Sequence, residues 1–111
     1  MYADSISVRD IYEAGQAAIN YAKGLTKEEI LADQMRLQAI KYQLIVIGEA
    51  AVRLSDSFRN NHPKITWREM IGMRNILVPQ YHWVELDIIW GVVQNSVPAL
   101  ISKIEPLISA D

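Results

Sequence analysis

Apolar residues recur along almost the whole chain at the steps of three and four that bring one face of a helix toward a core. Val8, Ile11, Tyr12, Gly15, Ala18, Ile19 and Ala22 predict a first helix, with Gly24 as its stop. Thr26 followed by Glu29 has capping-box spacing and opens a short helical turn through Leu31. Asp33 is the expected cap of the next helix, which runs through Leu54. In it Tyr42, Leu44, Ile45, Val46, Ile47, Ala50 and Leu54 cover most of the circumference, and a helix apolar on several sides belongs at the centre of a fold.

From Ser55 to Ile65 the chain reads as a turn-rich connection with room for one helical turn, marked by Asn60-Asn61-His62-Pro63. Thr66 and Glu69 repeat the capping-box spacing and start a helix at Trp67. Pro79 pushes its preceding residue out of helical geometry, so this helix should stop near Val78. A last long helix begins near Trp83, because Trp83, Leu86, Trp90, Val93, Val97, Leu100 and Ile104 alternate steps of three and four. Pro98 lies inside it and should remove one hydrogen bond and bend the rod. No strand-like alternation competes. The expected fold is all-α: an up-and-down four-helix bundle with an extra short helix, a single domain over residues 1–111. The central helix and two long stripes offer more apolar surface than so small a bundle easily hides, so a homodimer is expected.

Composition narrows the class. Half of the 111 residues are apolar and 22% are charged, as in ordinary globular proteins. Without cysteine neither disulfides nor thiolate metal sites are possible, which fits a reducing cytoplasm. Met1 to Ser5 has no basic segment leading into an apolar run, and the longest apolar stretch, Leu44 to Ile47, is far below a membrane span. A cytoplasmic protein is therefore expected. The net charge of −2 hides an asymmetry. Arg53, Arg59, Lys64, Arg68 and Arg74 face only Asp56 and Glu69 between residues 53 and 74, so that stretch carries +3 and the remainder −5. A patch of this kind can hold phosphates, and it can equally be a solvated loop.

Candidate chemistry centres on Arg74, which shares a helical ridge with Trp67, Ile71 and Val78. An arginine there needs a partner or a function, because burying its charge alone is costly. Glu49 and Asp87 are the candidate partner acids. Glu49 has two further readings, as the partner of Arg53 four residues on and as the group that orients Arg74. His62 and His82 lack metal-ligand spacing, and neither a phosphate-binding glycine loop nor a nucleophilic triad is visible, so no metal or cofactor is expected.

Met73-Arg74-Asn75-Ile76-Leu77-Val78-Pro79-Gln80-Tyr81 resembles the signature of HEPN proteins, in which Arg-Asn and three more residues lead to His-x-Tyr. Ile47-Gly48-Glu49-Ala50, His62-Pro63 followed by Trp67, Ile71 to Asn75, and Asp87-Ile88-Ile89-Trp90 extend the match in order and spacing. Together they resemble the HepT-like branch from about Ile6 to Leu107. The resemblance implies the toxin half of a toxin–antitoxin pair, a metal-independent endoribonuclease acting as a homodimer with its site in a cleft between protomers. Its implied partner is a minimal nucleotidyltransferase that transfers AMP from ATP to the tyrosine of the signature, here Tyr81. Arg74 would bind the scissile phosphate, with Asn75 helping to position it; Glu49 stays a candidate supporting residue on the reading of its own position.

This chain departs from the pattern at residue 79, where proline stands in place of the signature histidine. Proline has no titrating proton, so it can neither take the 2′-hydroxyl proton nor supply one to the leaving oxygen, a contribution of about 10²–10⁴ in rate. Activity should be lost or strongly reduced. His82 is no simple substitute, since three residues turn a helix by roughly 300°. The competing expectation is a non-enzymatic helical adaptor that docks a nucleotidyltransferase. A nucleotide-binding module without RNA chemistry rests on the basic patch alone.

Overall fold

The computed structural model of the chain describes residues 3–77 and 86–109. Helices account for most of them, and no strand occurs among the described residues. Helix α1 spans Asp4–Ala22 and ends at Gly24, whose φ of 78° lies in the left-handed region that a side chain disfavours. Helix α2, Lys27–Ala32, is opened by the expected capping box: the Thr26 hydroxyl accepts from the Glu29 N–H at 3.1 Å, and the Glu29 carboxylate accepts from the Thr26 N–H at 2.8 Å. Helix α3, Gln34–Arg53, starts where the Asp33 carboxylate accepts the Arg36 N–H at 3.1 Å. That bond, followed by burial and the Arg36 guanidinium, leaves the Asp33 carboxyl net below its ordinary pKa.

The connection after α3 holds more helix than a single turn of coil. Helix α4, Asp56–Asn61, is capped by Ser55, whose hydroxyl accepts from the Phe58 N–H at 3.1 Å. Helix α5 spans Trp67–Leu77. The capping box expected at Thr66 does not form; the Glu69 and Met70 N–H groups reach the Thr66 backbone carbonyl instead, at 3.0 and 3.3 Å. After the undescribed stretch, α6 (Leu86–Gly91), a π-helical segment (Val92–Ser96) and α7 (Val97–Ser109) follow without a break. Among the described residues two short helices, α2 and α4, thus lie outside the four long rods, the last of which comprises α6, the π segment and α7; the sequence predicts one short helix and leaves room for a further helical turn between Ser55 and Ile65. The proline expected to interrupt a regular helix sits just after the π segment. There the Val97 N–H reaches back five residues to the Val92 carbonyl, and this wider turn is a recognised way to absorb a local mismatch in the ladder.

The long helices form a row in which α3 packs between α5 and α1, while α1 packs also on α7. Val8, Ile11, Ala14, Ala18, Ile40, Leu44, Ile47, Ala50, Val97, Ile101 and Ile104 belong to one buried cluster. Helices α1 and α3 run antiparallel: Arg53 meets Asp10 at 2.9 Å near one end of the pair, and Arg36 donates to the Tyr21 carbonyl at 2.7 Å near the other. Between α5 and α7 the row does not close tightly. It leaves a crevice of about 260 Å³ lined by Leu44, Ile47, Met70, Met73, Val97 and Leu100 among others. Among the described residues no helix is long and apolar enough to cross a membrane.

Candidate functional site

The α3–α5 contact is built on a glycine. A Cβ placed on Gly48 would lie 2.2 Å from the Arg74 Cβ and 2.8 Å from the Met70 carbonyl oxygen, distances no real side chain tolerates. Gly48 therefore lets the two helices approach at the turn that carries Arg74. The apolar start of the Arg74 side chain lies on this bare backbone, while its charged end reaches outward. Sequence reasoning placed Gly48 in the signature and missed this role. Its signal is a residue without a side chain one position before Glu49, in an otherwise bulky stretch.

At the end of that side chain three expected site residues come together. Arg74 Nε donates to Glu49 Oε1 at 3.1 Å, and Nη2 reaches Oε2 at 3.4 Å. Nη1 donates to Asn75 Oδ1 at 2.8 Å. The pair is half-exposed, with 32% of the arginine and 42% of the glutamate side chain accessible. Arg74 is therefore a fixed surface guanidinium, neither sealed in the core nor loose. Of its five N–H groups three are engaged, which leaves one on each terminal nitrogen without a protein partner among the described residues. Two such donors in one plane match a phosphate or carboxylate.

Of the partners open to Arg74, Glu49 is the one it uses. Asp87 pairs instead with the Lys27 ammonium, tying α2 to α6. Arg53 pairs with Asp10 across the α1–α3 contact. Pro79 and Tyr81, together with His82, lie outside the described residues.

A second feature lies on the same side of α3. Met35, Tyr42 and Glu49 recur every seven residues, as do Gln38, Ile45 and Val52. In the single chain Met35 is 86%, Tyr42 63% and Val52 44% exposed. The ionic site thus interrupts an apolar stripe that this chain leaves uncovered.

Comparison with known proteins places residues 11–107 in the family described as Ribonuclease HepT-like. A Methanocaldococcus jannaschii protein provisionally named an RNase is 31% identical over 96 residues, covering 86% of this chain and 88% of its own. A second protein of that organism, also provisionally named an RNase, is 35% identical over 99 residues, covering 89% and 82%. A Thermococcus cleftensis protein provisionally named ribonuclease HepT is 33% identical over 100 residues, covering 90% and 91%. No solved structure matches the chain significantly.

Proposed function

Because the chain belongs to the HepT-like ribonuclease family, we propose that it is a single-domain cytoplasmic toxin of a toxin–antitoxin pair, built as a metal-independent endoribonuclease and disabled at one position. The observation that carries this reading is the Arg74 guanidinium, held by Glu49 and Asn75 with one N–H on each terminal nitrogen left over. In the proposed roles those donors meet the non-bridging oxygens of the scissile phosphate and stabilise the charge that develops there. Asn75 fixes the fork's rotation, and Glu49 fixes its position from α3.

A carboxylate beside the guanidinium offsets part of its charge, which suits a group meant to orient a phosphate more than to capture RNA by charge alone. The pair adds little to folding, since a half-exposed ion pair contributes at most about 1 kcal/mol.

Cleavage also needs a base for the 2′-hydroxyl proton and an acid for the leaving oxygen, and Pro79 supplies neither. The chain as it stands is expected to leave RNA intact or cut it very slowly. The apolar stripe on α3 supports a homodimer in which two Arg74–Glu49 pairs face a shared cleft. Tyr81 is the proposed acceptor of AMP from a nucleotidyltransferase antitoxin. The deciding experiment is Pro79→His. The purified variant should cut RNA in the presence of EDTA and slow growth in cells lacking the antitoxin, and an inert, folded, dimeric variant would remove the ribonuclease mechanism from this chain.

A second reading is favoured by Pro79 itself: a non-enzymatic adaptor that docks the nucleotidyltransferase. It expects Pro79→His to stay inert while labelled ATP and the transferase still mark the chain. Label that persists in Tyr81→Phe takes Tyr81 out of both readings.

A further inference from the structure

The cations of this chain sort into two groups. Lys27, Arg36, Arg53, Arg59 and Arg74 each have a carboxylate partner. Among the described residues Arg9, Lys23 and the buried Lys41 have none, and neither do the exposed Lys64, Arg68 and Lys103. Yet the last three converge where the loop between α4 and α5 meets α7. The Lys103 ammonium donates to the Lys64 backbone carbonyl at 3.2 Å, which anchors its position, leaves its charge uncompensated and keeps two N–H groups free. His62, Lys64 and Lys103 line one shallow depression; Arg59, Trp67 and Arg68 line the next, and the two share Pro63 and Ile65. Glu69 is the acid on the walls of the second, and Arg59 is already paired with Asp56 at 2.6 Å. Locally the surface stands near +2 on a chain whose net charge is −2.

This patch also has a route to Arg74. Arg68, Gly72 and Asn75 follow one another on α5 at steps of four and three, so they share a face, and seven residues of helix span about 10 Å. A Cβ on Gly72 would meet nothing within 4 Å, so among the described residues no neighbouring element fills the track between the two.

We propose that Lys64, Arg68 and Lys103 form a backbone-binding ridge for single-stranded RNA, leading along the open face of α5 to Arg74. The proposal rests on the ribonuclease reading and adds a binding surface that neither the sequence signature nor Arg74 requires. The contacts are charge to phosphate, so the ridge favours no base sequence and its affinity falls steeply with salt.

The test is fluorescence anisotropy with a labelled single-stranded RNA about twenty nucleotides long, 2′-O-methylated so that it cannot be cleaved, across a salt series. The full chain is compared with Lys64→Ala/Arg68→Ala/Lys103→Ala, with Arg9→Ala/Lys23→Ala as a control at exposed cations elsewhere, and with Arg74→Ala. All three ridge positions are exposed, so the triple variant should fold, which circular dichroism checks. It should bind at least tenfold more weakly at low salt, and its log–log salt slope should fall by about 2, at roughly 0.7 per single-strand phosphate contact. The control should match the parent. Arg74→Ala should keep most of the binding and lose only one contact's share of the slope, about 0.7, while abolishing cleavage in the Pro79→His protein.

An unchanged slope in the triple variant, with RNA still bound, overturns the ridge and leaves the ribonuclease reading standing. A parent that binds no RNA overturns both. Equal binding of a polyglutamate peptide of similar length overturns the assignment to RNA and gives the patch to acidic proteins.

Discussion

Arg74 is the position where chemistry and stability can be separated experimentally. In the Pro79→His protein, Arg74→Lys keeps a positive charge and loses the planar fork, so cleavage should fall by about 10²–10³, the range found when one preorganised donor to a developing anion is removed. The folding free energy should move by less than about 1 kcal/mol, because the ion pair it breaks is half-exposed. Parallel single-turnover cleavage and thermal melts check both halves; a large stability loss with little loss of rate would make the arginine structural.

Ser55 is a purely structural counterpart. Its hydroxyl donates to Asp4 Oδ2 at 2.7 Å and accepts from the Phe58 N–H, while its backbone N–H donates to Asp4 Oδ1 at 2.9 Å, so one residue joins the start of α1 to the start of α4. The hydroxyl and then the backbone bond hold the Asp4 carboxyl below its ordinary value. A depressed folded-state pKa adds stability above the unfolded value of about 3.9, and that part is lost as pH falls through the folded value. Ser55→Ala should therefore cost about 1 kcal/mol at pH 7 through the lost cap. The gap to the parent in urea midpoint should narrow by pH 3, and the Asp4 titration followed by NMR should move upward.

At the scale of elements, two glycines make matched controls. At Gly48 an added methyl meets the Arg74 Cβ and a backbone carbonyl, neither of which can swing aside. At Gly15 it meets the end of the Ile101 side chain at 2.6 Å, which can change rotamer. Gly48→Ala should cost about 1–3 kcal/mol by forcing α5 off α3. In the Pro79→His protein it should also depress cleavage, because the turn carrying Arg74 moves with it. Gly15→Ala should cost clearly less and spare activity, so equal melting temperatures for the two would refute the close-approach argument.

These elements also mark where reading the chain succeeds. Thr26, Glu29 and Asp33 fix two helix starts by bonds spanning three residues, a reach that local sequence encodes, and the apolar periodicity carried α1, α3, α5 and the last helix. The same spacing misled at Thr66, where nothing local dictates whether a hydroxyl or a carbonyl takes the first free N–H. The π segment before Pro98 depends on how α7 lies against α1, and the Gly48–Arg74 contact joins residues far apart in the chain. The Arg74–Glu49 pair was one of several permitted by charge; the packing of α5 on α3 selected it.

For the whole molecule the decisive feature is the face of α3 that the single chain leaves exposed. Its central position is explained by contacts with α1 and α5, which bury Ile40, Leu44, Ile47, Ala50 and Ala51. Those contacts leave Met35, Tyr42 and Val52 to solvent, on the side where Glu49 holds Arg74. A heptad-spaced apolar stripe with one ionic turn is a geometry that a symmetry-related copy can pair with, since each stripe then meets itself. Met35→Lys/Tyr42→Lys places two charges on residues that contribute little to the single chain's core, so the fold should survive. Light scattering after gel filtration should find the parent at twice the chain mass and the variant at the chain mass. In the Pro79→His protein the same change should remove cleavage although Arg74, Glu49 and Asn75 are untouched. A monomeric variant with full cleavage would mean that each chain carries a complete site, and a parent that is itself monomeric at micromolar concentration would leave the α3 stripe for a different partner.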